Sequence, residues 1–463
     1  MKKSIALTGL ALLVAAALAG PAGAGTTAEP PAATFREAAA APAASPRSAF
    51  DGQWWRLFAE PLLDDLIARG RRSAVSLQEA SARVAQARAH QTAADAARLP
   101  RVTFDASATD QSGPLINAAG TAGGLVQAGG RLSYELDILG RLSKARGASR
   151  ADLRASEALL RQARLVVEAD IARAYLSIRG LDAEIQVLQA TAADAREGLG
   201  VLEGRRRSGF ETDAAVSRAR AELGAVESDA LALQQRRAEL EHGLGFLVGD
   251  PGLSIAPASQ ALARLPPAIP PGIPSDVLAR RPDVAAAKDT LNAAQLRLKV
   301  ARTAWLPSLT LTASGGYASP ELGDLIRSSV RSLGLDLLMA LPPFDGGRRR
   351  AGIDGAAADL DLASAAYRRQ VLTAFRDVDD QLSALRILGE RSEVAARTIA
   401  ADDRALALST SRRSNGLASR LEVLDARRAE LRDRRQAVQV QSARYQATVS
   451  LVQALGGGWG AGG

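Results

Sequence analysis

The chain contains no cysteine, which removes disulfides, thiolate metal sites and cysteine nucleophiles from consideration. Only two histidines occur, His90 and His242. Both lie in charged, helix-like stretches without convergent partners, so solvated helix positions are expected for them rather than metal or acid–base roles. Aromatic residues make up 4% of the chain and do not gather beside basic ones. The formal charge of +8 comes almost entirely from arginine, but the arginines alternate with acids along helical faces, as in RRAELRDRR over 427–435. That pattern is a solvated helix surface, and no nucleic-acid partner is expected. No paired carboxylates, metal cluster or nucleophile constellation stands out, so neither an enzyme nor a cofactor is expected. After the N-terminus there is no run of roughly 18 or more uninterrupted apolar residues, as a transmembrane helix requires. A membrane could be met only by strands or by the protein surface.

What is present begins with a targeting segment. Lys2 and Lys3 precede an apolar run from Ile5 to Ala19, and AGA at 22–24 supplies an Ala-x-Ala cleavage pattern, so residues 1–24 read as a secretory signal peptide. Residues 25–50 are rich in Ala and Pro and read as an extended leader without a core of its own.

The rest is one plan written twice. Leu99-Pro100 recurs as Leu306-Pro307, Gly140-Arg141 as Gly347-Arg348, Ile171 as Val378, Tyr175 as Leu382 and Gly209 as Gly416, each 207 positions on. Self-similarity of this kind divides the chain into a first structural repeat at 51–250, a Pro-rich linker at 251–271, a second repeat at 272–457 and a short tail at 458–463. In the first copy, helical spacing over 74–98 ends before Pro100. VTFDASATD (102–110) then alternates, with Val102 and Phe104 on one face. A Gly/Pro/Asn-rich loop (111–124) leads to RLSYELDI (131–138), which puts Leu132, Tyr134, Leu136 and Ile138 on one face. A helix of about 67 residues from Arg141 follows, about 100 Å long. It turns at Gly209 and returns over about 212–247. The second copy repeats the order: helix about 275–305, strand 308–317 carrying Leu309 and Leu311, loop, strand 332–341 carrying Leu335 and Leu337, helix about 348–414, turn at Asn415-Gly416, helix about 419–455.

Helices of this length imply an elongated tube or coiled-coil bundle. Strands of about 10 residues match a tilted membrane span. Four strands cannot close a barrel, and an open edge cannot face lipid. Three chains would supply about 12 strands, closing a barrel with apolar faces toward lipid and Thr/Ser/Asp faces toward a wet lumen. The fold class expected is therefore mainly α with a membrane β-barrel, two tandem copies of helix, β-hairpin, long helix and helix per chain, assembled as a trimer with a long α-helical barrel.

Several stretches carry a family resemblance: WWRLFAEPLLDDLI (54–67), YELDILGRL (134–142), GIPSDVLARRPDVAAAKDTLNAA (272–294), ARTAWLPSLTLTASGG (301–316), PPFDGGRRRA (342–351) and LEVLDARRAEL (421–431). In this order they resemble the TolC-like outer-membrane channels of tripartite efflux pumps, in the branch serving resistance-nodulation-division transporters, over residues 50–460. The resemblance implies a passive trimeric exit duct in the outer membrane reaching into the periplasm. It also implies two further partners, a periplasmic adaptor and an inner-membrane efflux transporter. Many members of that branch carry an acylated cysteine. This chain has none, so thiol lipidation is excluded and anchoring rests on the barrel. A periplasmic coiled-coil structural protein is the alternative; it would share the helices but have no use for the hairpins.

Two motifs invite sharper readings that their context weakens. In RRPD (280–283), Pro282 suits the first helical turn and Asp283 the positive end of the helix dipole, rather than an ion site. DGGRRR (345–350) lacks the GxxxxGK[ST] phosphate-loop pattern and reads, like ELDILGR, as a bend from strand into helix. The turns at Ser208, Gly209 and Phe210 and at Ser414, Asn415, Gly416 and Leu417 end the tube, and the resemblance implies that they dock the adaptor. In the second copy Leu421 and Asp425 stack on one helical face with Arg428 three residues on. The resemblance implies that Leu421 and Asp425 line a closed periplasmic gate. The first copy carries Ala214 and Arg218 at those places.

Overall fold

A computed structural model describes residues 52–111, 123–258, 265–267, 269, 280–319, 331–341 and 343–457. The expected signal peptide (1–24), leader (25–50) and tail (458–463) lie outside the described residues, as do 112–122 and 320–330 of the loops expected between strands. After a short 3₁₀ turn at Trp54–Phe58 come α1 (Pro61–Ser73), α2 (Val75–Ala96), β1 (Arg101–Gln111), β2 (Gly123–Glu135), α3 (Arg141–Arg207) and α4 (Asp213–Val248). The second half has α5 (Pro282–Arg302), β3 (Ser308–Ser319), β4 (Arg331–Ala340), α6 (Arg348–Ser414) and α7 (Arg420–Ala454). The single helix expected over 74–98 is in fact preceded by a separate helix, broken at Ala74, whose ψ of 123° is extended. The long helices α3 and α6 are 67 residues each; neither contains a proline to interrupt its hydrogen bonds.

The two hairpins form one sheet in the order β1-β2-β3-β4, antiparallel throughout. Val102 pairs with Leu132, Leu132 with Ala313 and Ala313 with Leu335, while Tyr134 pairs with Leu311 and Leu311 with Leu337. Arg101, Ser133, Thr312 and Asp336 make the neighbouring row. Directly paired residues share a face, so the sheet is apolar on one side and polar on the other. The pairing also brings the start of β1, the end of β2, the start of β3 and the end of β4 to one end of the sheet, where each joins a helix.

The second strand differs from expectation at both ends. It begins at Gly123, inside the expected loop, and stops at Glu135. Leu136 is therefore not a strand residue: its amide still donates to the Leu309 carbonyl at 2.9 Å, but the chain then leaves the ladder. The cause is Asp137, whose Oδ1 accepts from the Leu142 amide (2.9 Å) and Oδ2 from the Ser143 amide (2.7 Å). The first amides of a helix have no intrahelical partner. Gly140, the residue before α3, sits at φ 69° and has no side chain to cap them, so Asp137 does so from upstream. Asp345 repeats the device for α6, accepting from the Arg349 amide (3.0 Å) and Gly347 amide (3.2 Å) beside Gly347 at φ 90°. Glu135 and Arg141 brace the first junction with paired contacts of 2.6 and 2.8 Å.

The main core lies part-way along the helices. Trp54, Trp55 and Phe58 pack with Leu63, Leu66 and Ile67 of α1 against Ile171, Tyr175 and Ile178 of α3, Leu244 and Val248 of α4, and Tyr445 and Val449 of α7. A smaller cluster joins Val378 and Leu382 of α6 to Leu451 and Ala454 of α7. Ile171 and Val378, which correspond under the 207-residue offset, are both fully buried. The start of the linker is strapped down by charge: Asp182 pairs with Arg237 at 2.6 Å and Arg179 at 3.2 Å, and these arginines donate to the Ile255 and Ala256 carbonyls.

The caps make a pH-dependent prediction. Desolvation opposes the charge on Asp137, but the Ser143 hydroxyl and the two amides outweigh it and hold the carboxyl below the usual aspartate value. Asp137→Ala should lower stability at neutral pH by about 1 kcal/mol, seen as earlier thermal loss of helical circular dichroism. Because the folded-state value is depressed, this stabilisation is complete above about pH 3.9 and fades as pH falls through the lower folded value. Wild type and variant should therefore converge in acid; equal melting at neutral pH would show that the cap contributes nothing.

Candidate functional site

Three features were singled out from sequence, and the structure distributes them along the molecule. The first is the sheet face. Val102, Phe104, Leu132, Tyr134, Leu309, Leu311, Leu335 and Leu337 all lie on the apolar side, as the register requires. Phe104 is 86% exposed and Leu335 75%. Leu132, Tyr134, Leu309 and Leu311, flanked by strands on both sides, are half-buried. A continuous apolar sheet face of this kind is foreign to water-exposed surfaces.

The second feature is the pair of turns. Gly209 has φ 77° and Gly416 φ 75°, a left-handed backbone that only glycine adopts freely. In each turn two amides close back on the preceding helix: Gly209 and Phe210 donate to Arg206 and Arg205, and Gly416 and Leu417 to Arg413 and Arg412. This is a Schellman-type stop. The next helix starts at once, α4 from Thr212, whose side chain accepts from Ala215, and α7 from a Ser419/Glu422 capping box. Ser208, Gly209, Phe210, Ser414, Asn415, Gly416 and Leu417 are all exposed.

The third feature is the start of α7. Leu421 is half-buried and Asp425 exposed one turn further on. Arg428 lies 3.6 Å from Asp425 and 3.2 Å from Glu222 of α4. It crosses α3 at Gly198, where a Cβ would meet the guanidinium at 3.2 Å. The structure thus brings Asp425 and Arg428 together and ties them to the first repeat, while Leu421 stands beside them without a polar role.

Sequence reading did not find the charge network above this point. Arg427 joins Asp194 of α3 (3.4 Å) and Glu430 (2.8 Å), the latter fully buried, and Arg434 joins Glu430 to Asp403 of α6 (2.9 Å to Asp403). Three helices are cross-linked in this way. Next to the network, Asp402 of α6 faces Asp433 of α7. Desolvation and the Asp433 carboxylate raise the Asp402 carboxyl above its usual value, with Glu430 adding to the repulsion and Arg432 opposing it. RRPD also does more than expected. Pro282 opens α5 and Asp283 sits in its first turn, while buried Arg281 bonds Asp283 (2.7 Å), Asp377 of α6 (3.2 Å) and the Ala454 carbonyl (3.0 Å). These cross-links are invisible in sequence because ordinary helical charges reveal no partner on another helix, from 31 to 233 positions away. His90 and His242 are exposed. Among the described residues, no group of three or more His, Asp or Glu is placed to hold a metal, and no helix is long and apolar enough to cross a membrane.

A profile of the outer membrane efflux protein family matches residues 66–250 and 273–457, two stretches with the same 207-residue offset as the internal repeat. The pyoverdine export outer membrane protein OpmQ of Pseudomonas putida is 31% identical over 418 residues, covering 88% of each chain. Outer membrane protein OprJ of Pseudomonas aeruginosa is 32% identical over 396 residues, 83% of this chain and 81% of OprJ. The solved structure of the outer-membrane channel OprN superposes with a TM-score of 0.85 at 28% identity, covering 93% of this chain and 98% of OprN.

The Asp402–Asp433 contact makes the α6–α7 hairpin sensitive to charge. A carboxyl whose folded-state value is raised destabilises the fold when ionised, and the penalty is relieved as pH falls through that raised value. Asp402→Asn should therefore raise the melting temperature at pH 7.5, with the advantage shrinking on acidification toward pH 4. A variant that melts lower than wild type at pH 7.5 would show that Asp402 makes a net favourable contact.

Proposed function

The chain belongs to the outer membrane efflux protein family, and from that premise we propose that it is the passive exit duct of a tripartite efflux pump. The members it matches are channels rather than enzymes, and in this reading no residue is catalytic; energy is supplied by an inner-membrane efflux transporter joined through a periplasmic adaptor. The observation that carries the reading is the single four-stranded sheet, apolar on one face and open at β1 and β4, with all four helix junctions at one end. In hydrocarbon those edges require partners. Pairing of β4 in one chain with β1 in the next, three times, closes a 12-stranded barrel, with Val102, Phe104, Leu335 and Leu337 toward lipid. A periplasmic coiled-coil structural protein has no use for such a face.

In the same reading residues 1–24 direct export and are removed, 25–50 form a leader, 51–250 and 272–457 are the two repeats joined by 251–271, and 458–463 is a tail. With no cysteine to acylate, the barrel is the membrane anchor. The turns at 208–210 and 414–417 dock the adaptor. The entrance is gated at Leu421 and Asp425. Threefold symmetry would gather three Asp425 carboxylates near one axis, where they repel unless compensated; Arg428, 3.6 Å from Asp425 within the chain, supplies that compensation and ties the gate to α3 and α4.

Replacing Leu421 and Asp425 together by Ser should raise single-channel conductance in planar bilayers severalfold and admit large antibiotics to cells. Detergent-extracted protein should run as a trimer in both forms. Wild-type conductance in the double variant would move the constriction elsewhere, and a monodisperse monomer would remove the barrel closure on which the reading depends.

A further inference from the structure

The two turns differ in charge more than in shape. Residues 205–213 read RRRSGFETD and residues 412–420 read RRSNGLASR. At the first turn two of the three arginines are matched: Arg206 pairs with Asp213 at 2.8 Å and Arg205 lies 4.0 Å from Glu211. The second turn contains no acid. Its Arg420 is paired away from the turn, with Glu197 of α3, and Arg412 donates to the Leu417 carbonyl at 3.3 Å, which orients the guanidinium without neutralising it. Arg207, Arg412 and Arg413 thus have no carboxylate partner among the described residues. Between these cations project two apolar side chains, Phe210 at 76% exposure and Leu417 at 68%. Other helical arginines, Arg161, Arg368 and Arg369 for example, also stand without an acid among the described residues; what sets the turns apart is that their unmatched cations flank an exposed apolar side chain held at a chain reversal by a positive-φ glycine.

An exposed apolar knob flanked by unmatched guanidinium groups complements one kind of surface, an apolar socket rimmed by carboxylates. Guanidinium binds carboxylate and phosphate alike through two parallel hydrogen bonds, so the apolar knob rather than the charge separates a protein socket from a lipid surface. One knob per turn, fixed by a rigid Schellman stop, also suits a shaped protein socket better than a fluid lipid surface. Resting on the reading that these turns dock the adaptor, we propose that the docking end of that partner is acidic, with Asp or Glu residues around an apolar socket, and that the second turn, Arg412 to Leu417, carries most of the charge recognition. The first turn contributes Phe210 and Arg207 and is closer to neutral. Electrostatic matching of this kind sets partner choice and association rate.

The test uses the full-length channel in cells with a co-expressed periplasmic adaptor. Photo-reactive benzoylphenylalanine replaces Ser208 or Ala418, and the crosslinked adaptor peptide is sequenced. The expected result is a crosslink to an adaptor segment rich in Asp or Glu. The yield should fall about tenfold in Arg412→Glu/Arg413→Glu, the loss of one or two matched charge pairs, and recover when the contacted adaptor acids are changed to Lys. Arg412→Gln/Arg413→Gln, which reverses no charge, should fall less and carries the test if the reversed form does not reach the outer membrane. A crosslink to an adaptor segment without carboxylates, or a yield indifferent to both variants, overturns the acidic partner while leaving adaptor docking intact. A crosslink to no adaptor overturns docking as well. Arginine-dependent binding of the purified channel's turns to phosphatidylglycerol vesicles, without an adaptor crosslink, overturns the proposal in favour of a lipid surface.

Discussion

The pairing of β2 with β3 is the contact on which the rest of the architecture depends. Each repeat by itself supplies only a hairpin, and a lone hairpin is marginally stable in water and impossible in lipid, where both of its edges would be unsatisfied. Joined from Val126↔Ser319 to Glu135↔Thr310, the two hairpins become one sheet with a single apolar face. The same pairing sets the helices side by side, since four strand ends meet at one end of the sheet and each continues into a helix. Along the long helices, the apolar clusters around Ile171 and Tyr175 and around Val378 and Leu382, together with the charge cross-links, then hold each to its neighbours.

Where strand becomes helix, the backbone changes its hydrogen-bonding partners within a few residues. Asp137 and Asp345 meet that demand in similar ways, each standing upstream of a positive-φ glycine: Asp137 accepts from the Leu142 and Ser143 amides, and Asp345 from the Arg349 amide and that of Gly347 just before the helix. The requirement is local and arises from the orphan amides of any helix start. It explains why ELDILGR and PFDGGRR look alike although they lie in different copies. It also explains why β2 ends at Glu135: the carboxylate at 137 claims the chain for the helix before Leu136 can complete the ladder.

The copies agree where packing governs and diverge at the end that carries the two turns. Ile171 and Val378 are buried alike. At the far end the first copy has Ala214 and Arg218 where the second has Leu421 and Asp425, and the first turn carries acids that the second lacks. Arg428 bonds both Asp425 and Glu222, so the second copy's distinctive residues are held by the first. At this end the two copies are therefore joined into one electrostatic unit rather than standing as two repeats of one.

Much of this was legible in the sequence. The alternation of apolar and polar residues placed Val102, Phe104, Leu309 and Leu335 on one face, because strand periodicity is a property of the chain alone. The absence of proline over 141–207 and 348–414, with glycine just beyond, marked the limits of both long helices, because helix interruption and termination are local events. Tertiary structure alone decided what required a distant partner: the order β1-β2-β3-β4, the end of β2 at Glu135, the bridge from Arg281 to Asp377 and Ala454, and the buried Glu430 between Arg427 and Arg434. An arginine or carboxylate on a helix looks the same whether its charge meets water or another helix, and only the fold determines which.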